Sequence, residues 1–180
     1  MGRDCVGALQ ILPAGDEPPT DLRVQAEPMS DHAVAQRIRA LAQPGAFGDA
    51  GMADDFRISI AGAQEKDALL FWQGRWCRPL EATPTTHIFK LPLGLIGNLQ
   101  LDMQHSVENE WLCAQLLAAY GLPVAPCEIL RFEDLKVLSV QRFDRRVWND
   151  DTLLRLPQED MCQATGCLLY TSPSPRDQRG

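Results

Sequence analysis

Hydrophobic residues in the first part of the chain fall into one short run and one periodic segment. The run at residues 6–12 predicts a short strand, and the prolines after it predict a loop. Ser30 is a good helix cap, and Val34, Ile38 and Leu41 recur at the spacing of one helical face. The pattern therefore predicts a helix from Ser30 to about Leu41.

Apolar runs in the middle of the chain are short and bounded by turn residues, which is typical of strands. They comprise residues 68–72, 75–80, 86–91, 127–132 and 135–143. Gln73-Gly74 and Glu133-Asp134 are placed to close two hairpins, and a helix capped by Ser106 runs to Tyr120 and ends at Gly121. Three strands, a helix and two strands is the order of a protein-kinase small lobe. We therefore predict an α+β fold, a kinase-like small lobe preceded by part of an N-terminal α/β subdomain.

Composition and charge narrow the class of protein. At 180 residues and 45% hydrophobic, the chain is long enough for a sizeable core, and its net charge of −7 argues against direct binding to nucleic acid. No apolar run reaches about 18 residues and no secretory signal is recognisable, so we expect no membrane association. The six cysteines form no C-x-x-C pair, which favours reduced, buried thiols in a cytoplasmic protein over a zinc site.

A lysine and a glutamate stand out as candidate chemistry. Lys90 lies in an apolar strand, where its charge needs a partner unless the strand has a solvated face. Glu110 interrupts the apolar stripe of the following helix and is the preferred partner, although a solvated position at the rim is the alternative. Glu108 is the competing partner, less favoured because acids are common in a first helical turn anyway. A strand lysine paired with a helix glutamate is the arrangement by which kinases hold nucleotide phosphates.

Two further segments suit a nucleotide. Residues 61–66, Ala-Gly-Ala-Gln-Glu-Lys, combine small residues that expose backbone N–H groups with polar residues that reach phosphate or simply face water. This loop matches neither the P-loop nor the glycine-rich loop of ordinary protein kinases. Residues 141–143, Gln-Arg-Phe, follow the last strand where a kinase hinge meets adenine, and a plain strand end is the alternative.

With these residues in view, the chain resembles the HipA family, bacterial serine/threonine protein kinases that act as toxins of type II toxin–antitoxin pairs. Five stretches carry the resemblance, namely residues 56–66, 84–92, 107–110, 142–145 and 154–163. A weaker likeness extends over almost all of residues 5–166.

The resemblance implies a set of functional residues. The ATP-binding residues would be Ala61, Gly62, Ala63, Gln64, Glu65, Lys66, Lys90, Gln141, Arg142 and Phe143. Glu110 would hold Lys90, and Ser59 would be an autophosphorylation site whose phosphate displaces the neighbouring loop. Gln141 replaces the acidic residue expected in the family, which leaves its side chain without an assigned role.

The resemblance also implies cofactors and partners, and it implies that the catalytic and metal-binding segments of the kinase are absent from this chain. It implies ATP and Mg²⁺ as cofactors, glutamyl-tRNA synthetase as substrate and a HipB-like helix-turn-helix antitoxin, through which any contact with DNA is indirect. No segment resembling a kinase catalytic loop or metal-binding loop occurs in the chain, so we assign no catalytic or metal-binding residue here. We expect a fragment without kinase activity.

Three parts are expected along the chain. Residues 1–55 would be the partial N-terminal subdomain and residues 56–166 the kinase-like lobe. Residues 167–180 would be a disordered or artefactual tail, because residues 167–177 read as the translation of a transposase-type sequencing adapter. The alternative from another class is a natural short protein that binds a nucleotide or an antitoxin without catalysis.

Overall fold

Ten strands and three helices make up the part of the chain that the computed structural model describes, residues 4–12, 14–41, 66–96 and 101–166. The strands are β1 (Ala26–Pro28), β2 (Lys66–Trp72), β3 (Arg75–Pro79), β4 (His87–Lys90), β5 (Gly94–Ile96), β6 (Leu101–Met103), β7 (Cys127–Phe132), β8 (Leu135–Gln141), β9 (Arg145–Asn149) and β10 (Thr152–Arg155). The helices are α1 (Asp31–Leu41), α2 (Ser106–Ala119) and α3 (Met161–Thr165). The predicted α+β fold is confirmed.

A six-stranded antiparallel sheet in the order β1-β3-β2-β4-β8-β7 organises these elements. Both predicted hairpins are present. Gln73 and Gly74 adopt φ of 49° and 77°, the left-handed conformation that a two-residue turn between twisted strands requires. Glu133 is likewise left-handed, with φ of 55°. Local turn chemistry therefore sets the register of β2 with β3 and of β7 with β8.

One face of the sheet packs against α1 and forms the main core. Ser30 Oγ accepts a hydrogen bond from Ala33 N, so the predicted cap of this helix is confirmed. Val34, Ala35 and Ile38 are buried against Phe89 of β4. Leu69, Leu91, Phe132 and Val137 complete that cluster. Aromatic rings extend it, because Trp76 makes edge contacts with both His87 and Phe89.

The opposite face carries α2, whose start differs from the prediction. Its cap position is His105, which makes no side-chain cap bond, whereas Ser106 is the first helical residue. Ser106 Oγ instead accepts a hydrogen bond from Leu93 N at 3.0 Å, which ties the helix to the segment after β4. The predicted end is confirmed, since Gly121 follows the helix with φ of 77°.

The expected strand at residues 6–12 is wrong. Gly7 has φ of 61° and starts a turn, and its N–H donates to Asp144 rather than to a neighbouring strand. Pairing with a distant side chain therefore replaces pairing with a strand.

The prediction of buried cysteines is confirmed only in part. The free cysteines of the described chain are Cys5, Cys77, Cys113, Cys127 and Cys162. Cys5 and Cys77 are buried, but Cys113 is exposed because α2 turns most of its apolar residues outward. Within the described ranges, no helix has the length and apolar character needed to span a bilayer.

Candidate functional site

A row of residues crosses four strands on the face that carries α2. Lys66 of β2 is the register partner of Lys90 of β4, Lys90 pairs with Leu138 of β8, and Leu138 pairs with Ile129 of β7. Directly paired residues of antiparallel strands project to the same side. Lys66 and Lys90 therefore stand side by side on one surface, which we call the lysine face.

Lys90 forms an ion pair with Glu110 of α2. The ammonium of Lys90 donates to Oε1 of Glu110, and the two side chains are 27% and 40% exposed. The pairing expected from the sequence is thus present, and its use in ATP binding stays a prediction. Because both groups keep access to water, the lysine charge is held in place without being sealed in the interior.

Glu108 does not compete for Lys90, because it has a lysine of its own. Its Oε1 accepts a hydrogen bond from Lys136 of β8. The bond from Lys136 lowers the pKa of Glu108, helped by its own backbone N–H and opposed by burial. Val107, 1% exposed, comes directly before Glu108 in the first turn of α2, and Glu110 follows two residues after Glu108. At about 100° per residue, Glu108 and Glu110 project to opposite sides of Val107, so each reaches a different strand.

All lysines of the chain belong to this arrangement. The sequence contains only three, Lys66, Lys90 and Lys136, whereas every other basic side chain apart from histidine is an arginine. Burial lowers the pKa of Lys66, the charge of Lys90 lowers it further, and Glu110 opposes the shift. Three ammonium groups and two carboxylates therefore lie on one face. The sequence interpretation missed Lys136, and the lysine count was the signal that would have found it.

An apolar row lies beside the lysine row, one pleat further along the strands. It consists of Ala68, Ile88, Val140 and Cys127, which are successive register partners. Ile88, Val140 and Cys127 are part-exposed. Burial raises the pKa of the Cys127 thiol, and the nearby charge of Glu110 adds to the rise, so this row favours neutral groups.

Residues 141–143 follow the apolar row on β8. Gln141 N donates to Pro126 O and Arg142 N donates to Thr86 O, each at 2.8 Å. Phe143 is 71% exposed, and its backbone N–H has no hydrogen-bond partner among the described residues. This segment therefore presents a free backbone donor next to an apolar surface.

The side chain of Arg142 is occupied elsewhere. It donates to Asp4 at 2.9 Å and to Asp144 at 2.8 Å, and it is 2% exposed. Only its backbone is therefore available to a ligand on the lysine face.

A buried ionic cluster surrounds that guanidinium, and we call it the Asp4 cluster. Its members are Asp4, Thr85, Arg142, Asp144, Arg145 and Arg155. Burial raises the pKa of Asp4, but the charges of the three arginines and the bond from Thr85 outweigh it, so the pKa is lowered overall. Neither Asp4 nor Asp144 has a role in the sequence-based predictions, because their partners are distant in the chain.

Several predicted site residues lie outside the described residues. They are Ser59, Ala61, Gly62, Ala63, Gln64 and Glu65. Lys66 is described and is the first residue of β2 rather than a loop residue.

In the described ranges, no three His, Cys, Asp or Glu side chains are grouped to hold a metal ion. Two cavities of about 420 and 480 Å³ lie away from Lys90, which occupies an open surface.

Comparisons with known proteins point to one family. Residues 58–176 match the family described as the HipA-like C-terminal domain. The chain is 35% identical over 175 residues to Y4mE of Sinorhizobium fredii, which is named as a kinase, and the match covers 92% of this chain and 38% of that protein. It is 33% identical over 169 residues to the serine/threonine-protein kinase toxin HipA of Shewanella oneidensis, covering 92% of this chain and 35% of the toxin.

A solved structure agrees with these sequence matches. The fold resembles a chain in the complex of HipA, HipB and operator DNA from Shewanella oneidensis MR-1, with a TM-score of 0.60 and 29% identity. The match covers 91% of this chain and 35% of that chain. The chain therefore spans little more than a third of the length of these relatives.

Proposed function

Because this chain belongs to the HipA family of kinases, we propose that its lysine face is the ATP-binding surface of a serine/threonine protein kinase toxin. The observation that carries the proposal is the Lys90–Glu110 pair on an open sheet surface. A lysine held by a helix glutamate keeps a positive charge pointed at one position, which suits phosphate oxygens.

The order of groups along the strands fits the shape of a nucleotide. The free N–H of Phe143 would meet the adenine edge, and the apolar row would lie under the base. Gln141 and Leu138 are three residues apart on β8, or about 10 Å at 3.3 Å per residue. That spacing is comparable with the length of a nucleoside, so Lys90 and Lys66 would lie at the phosphates.

The remaining assignments complete this proposal. Ala61, Gly62, Ala63, Gln64 and Glu65 would cover the phosphates, and Ser59 would be an autophosphorylation site beside them. ATP would supply the transferred phosphoryl group. The described residues offer no cluster of carboxylates for Mg²⁺, so we route no step through the metal, whose ligands we expect outside this chain.

The whole protein would be a cytoplasmic toxin paired with a HipB-like antitoxin. This partner is inferred from the HipA–HipB–DNA complex that the fold resembles, and glutamyl-tRNA synthetase is the substrate that the family resemblance suggests. The 180-residue chain itself would bind ATP weakly and would not transfer phosphate, since it contains no catalytic-loop or metal-binding aspartate of the kinase pattern.

The direct test is titration of the purified chain with a fluorescent ATP analogue, followed by competition with ATP. Lys90→Met should weaken binding about 10- to 150-fold, because hydrogen bonds to charged groups contribute about 1.5–3 kcal/mol. Arg78→Met is the matched control, since Arg78 pairs with Glu27 on β1 and β3, away from the lysine face.

The outcomes separate the proposal from its alternatives. Absence of saturable ATP binding, or equal affinity of the Lys90→Met variant and the parent, would refute the ATP surface. Capture of an isolated HipB-type protein without any ATP binding would support the non-catalytic alternative instead.

A further inference from the structure

We infer that Lys136 is a positioning residue, which holds the first turn of α2 through Glu108 so that Glu110 faces Lys90. The inference rests on the proposed function of the lysine face and adds a residue to which neither the motif pattern nor the family resemblance assigned a role.

The contacts of α2 are concentrated at its start. Leu93 N donates to Ser106, Val107 is buried, Glu108 pairs with Lys136 and Glu110 pairs with Lys90. From Trp111 to Ala119 every helical residue except Ala114 is exposed. The helix also contacts β7, but its fully buried and ion-paired side chains all lie between Ser106 and Glu110.

The two ion pairs act from different strands. Lys90 belongs to β4 and Lys136 to β8, which are neighbours in the sheet. Around the helix axis, the buried side chain of Val107 projects between those of Glu108 and Glu110, so it is the point about which the start of α2 would rotate. The bond from Leu93 N to Ser106 and the burial of Val107 fix the start of the helix, and the two ion pairs on opposite sides of Val107 set its rotation about that point. Loss of Lys136 should therefore move Glu110 away from Lys90.

The composition makes this inference measurable at one side chain. Lys66 and Lys90 are the only lysines left after Lys136→Met. Mass spectrometry can therefore measure the rate at which an amine-reactive reagent labels Lys90 separately from Lys66. The α-amino group serves as the internal reference. Release of Lys90 from Glu110 should raise its labelling rate to that of the Glu110→Gln variant, about 2- to 5-fold, the range expected for a part-exposed ion pair.

The experiment compares Lys136→Met with the conservative Lys136→Arg and with the exchange of charges in Glu108→Lys/Lys136→Glu. Lys136→Met should raise Lys90 labelling and weaken ATP binding about 2- to 5-fold. Lys136→Arg should keep both values near those of the parent, and the exchange should restore them in part. Arg78→Met should change neither. Labelling is done well below the unfolding temperature of each variant, so that a loss of global stability does not contribute.

The outcomes distinguish this inference from the proposed function. Unchanged Lys90 labelling in Lys136→Met overturns the positioning role, even if Lys90→Met abolishes ATP binding. Raised labelling that Lys136→Arg reverses supports the positioning role, even if the parent binds no ATP and the proposed function fails. Raised labelling in both Lys136 variants and in Arg78→Met would show general loosening and would also overturn it.

Discussion

Asp4→Asn should strongly destabilise the folded chain although it changes only a few atoms. Asp4 is fully buried, and its carboxylate faces the guanidinium groups of Arg142, Arg145 and Arg155. Asparagine keeps nearly the same shape but removes the charge. The cluster has two carboxylates for three arginines, so with Asp144 as the only carboxylate left its net charge rises from +1 to +2.

The expected loss follows from the cost of an unpaired buried charge. Removing one partner of a buried ion pair costs about 3–5 kcal/mol, and a domain is typically stable by only about 5–15 kcal/mol. With a urea m-value of about 2 kcal/mol/M, the midpoint of unfolding should fall by about 2 M. Tryptophan fluorescence in urea at pH 7 measures both the midpoint and the m-value.

A matched control and the pH dependence sharpen this test. Asp21→Asn removes an acid that pairs with Arg23 on the surface, and its midpoint should stay at that of the parent. Since the pKa of Asp4 is lowered in the folded protein, its stabilisation is present above its ordinary pKa of 3.8 and is lost as the pH falls through the folded value. Asp4→Asn should therefore also reduce the acid sensitivity below about pH 4.

The reasoning would be refuted by equal midpoints for Asp4→Asn and Asp21→Asn at pH 7. A lower midpoint with a strongly altered m-value would instead indicate a change in the unfolded or native ensemble, and it would not support the charge argument.

Two further predictions concern the core. Burial lowers the pKa of His87 from 6.5 to about 4, so stability should fall as the pH drops from 6.5 towards 4. The free energy of unfolding should change by at most about 1.4 kcal/mol per pH unit for one proton, and by less because His87 is partly exposed. Urea titrations at several pH values should show that His87→Gln loses this dependence. Equal pH dependence in the variant and the parent would contradict the assignment. Phe89→Ala should lower the free energy of unfolding by about 3–5 kcal/mol in the same assay, because Phe89 is fully buried between α1 and the sheet, and a loss below about 1 kcal/mol would contradict its place in the core.

Elements with local causes were predictable from the sequence. The helix that starts after Ser30 follows from its cap and its 3.6-residue period, and the β2–β3 hairpin follows from Gln73-Gly74. The pairing of Lys90 with Glu110 could also be predicted, because each is a charged residue in an otherwise apolar strand or helix face. In these cases the information lies within a few residues or within two periodic segments.

Elements with distant causes were not predictable in the same way. The apolar composition of residues 6–12 suggested a strand, but Gly7 is bound by Asp144, 137 residues away. Lys136 was overlooked because periodicity identifies the apolar stripe of the helix but not the strand that Glu108 or Glu110 will face. Ser106 was taken for a cap by its type, although its hydroxyl binds the backbone of Leu93. Tertiary partners decided each of these positions.

The Asp4 cluster has a consequence for the order in which the protein is made. Asp4 and Arg155 are 151 residues apart, so at about 5–20 residues per second a ribosome needs about 8–30 s to produce the last partner after the first. The first native counter-charge of Asp4 to be made is Arg142, 138 residues further along the chain, so for most of that time Asp4 has no charged partner and the segment around Gly7 has no place to bind. The segment at Thr85, just before β4, must therefore lack its contacts with Asp4 during that interval, and closing so long a loop comes late in folding. The segment around Asp4 and Gly7 is therefore among the last of the described segments to reach its native position.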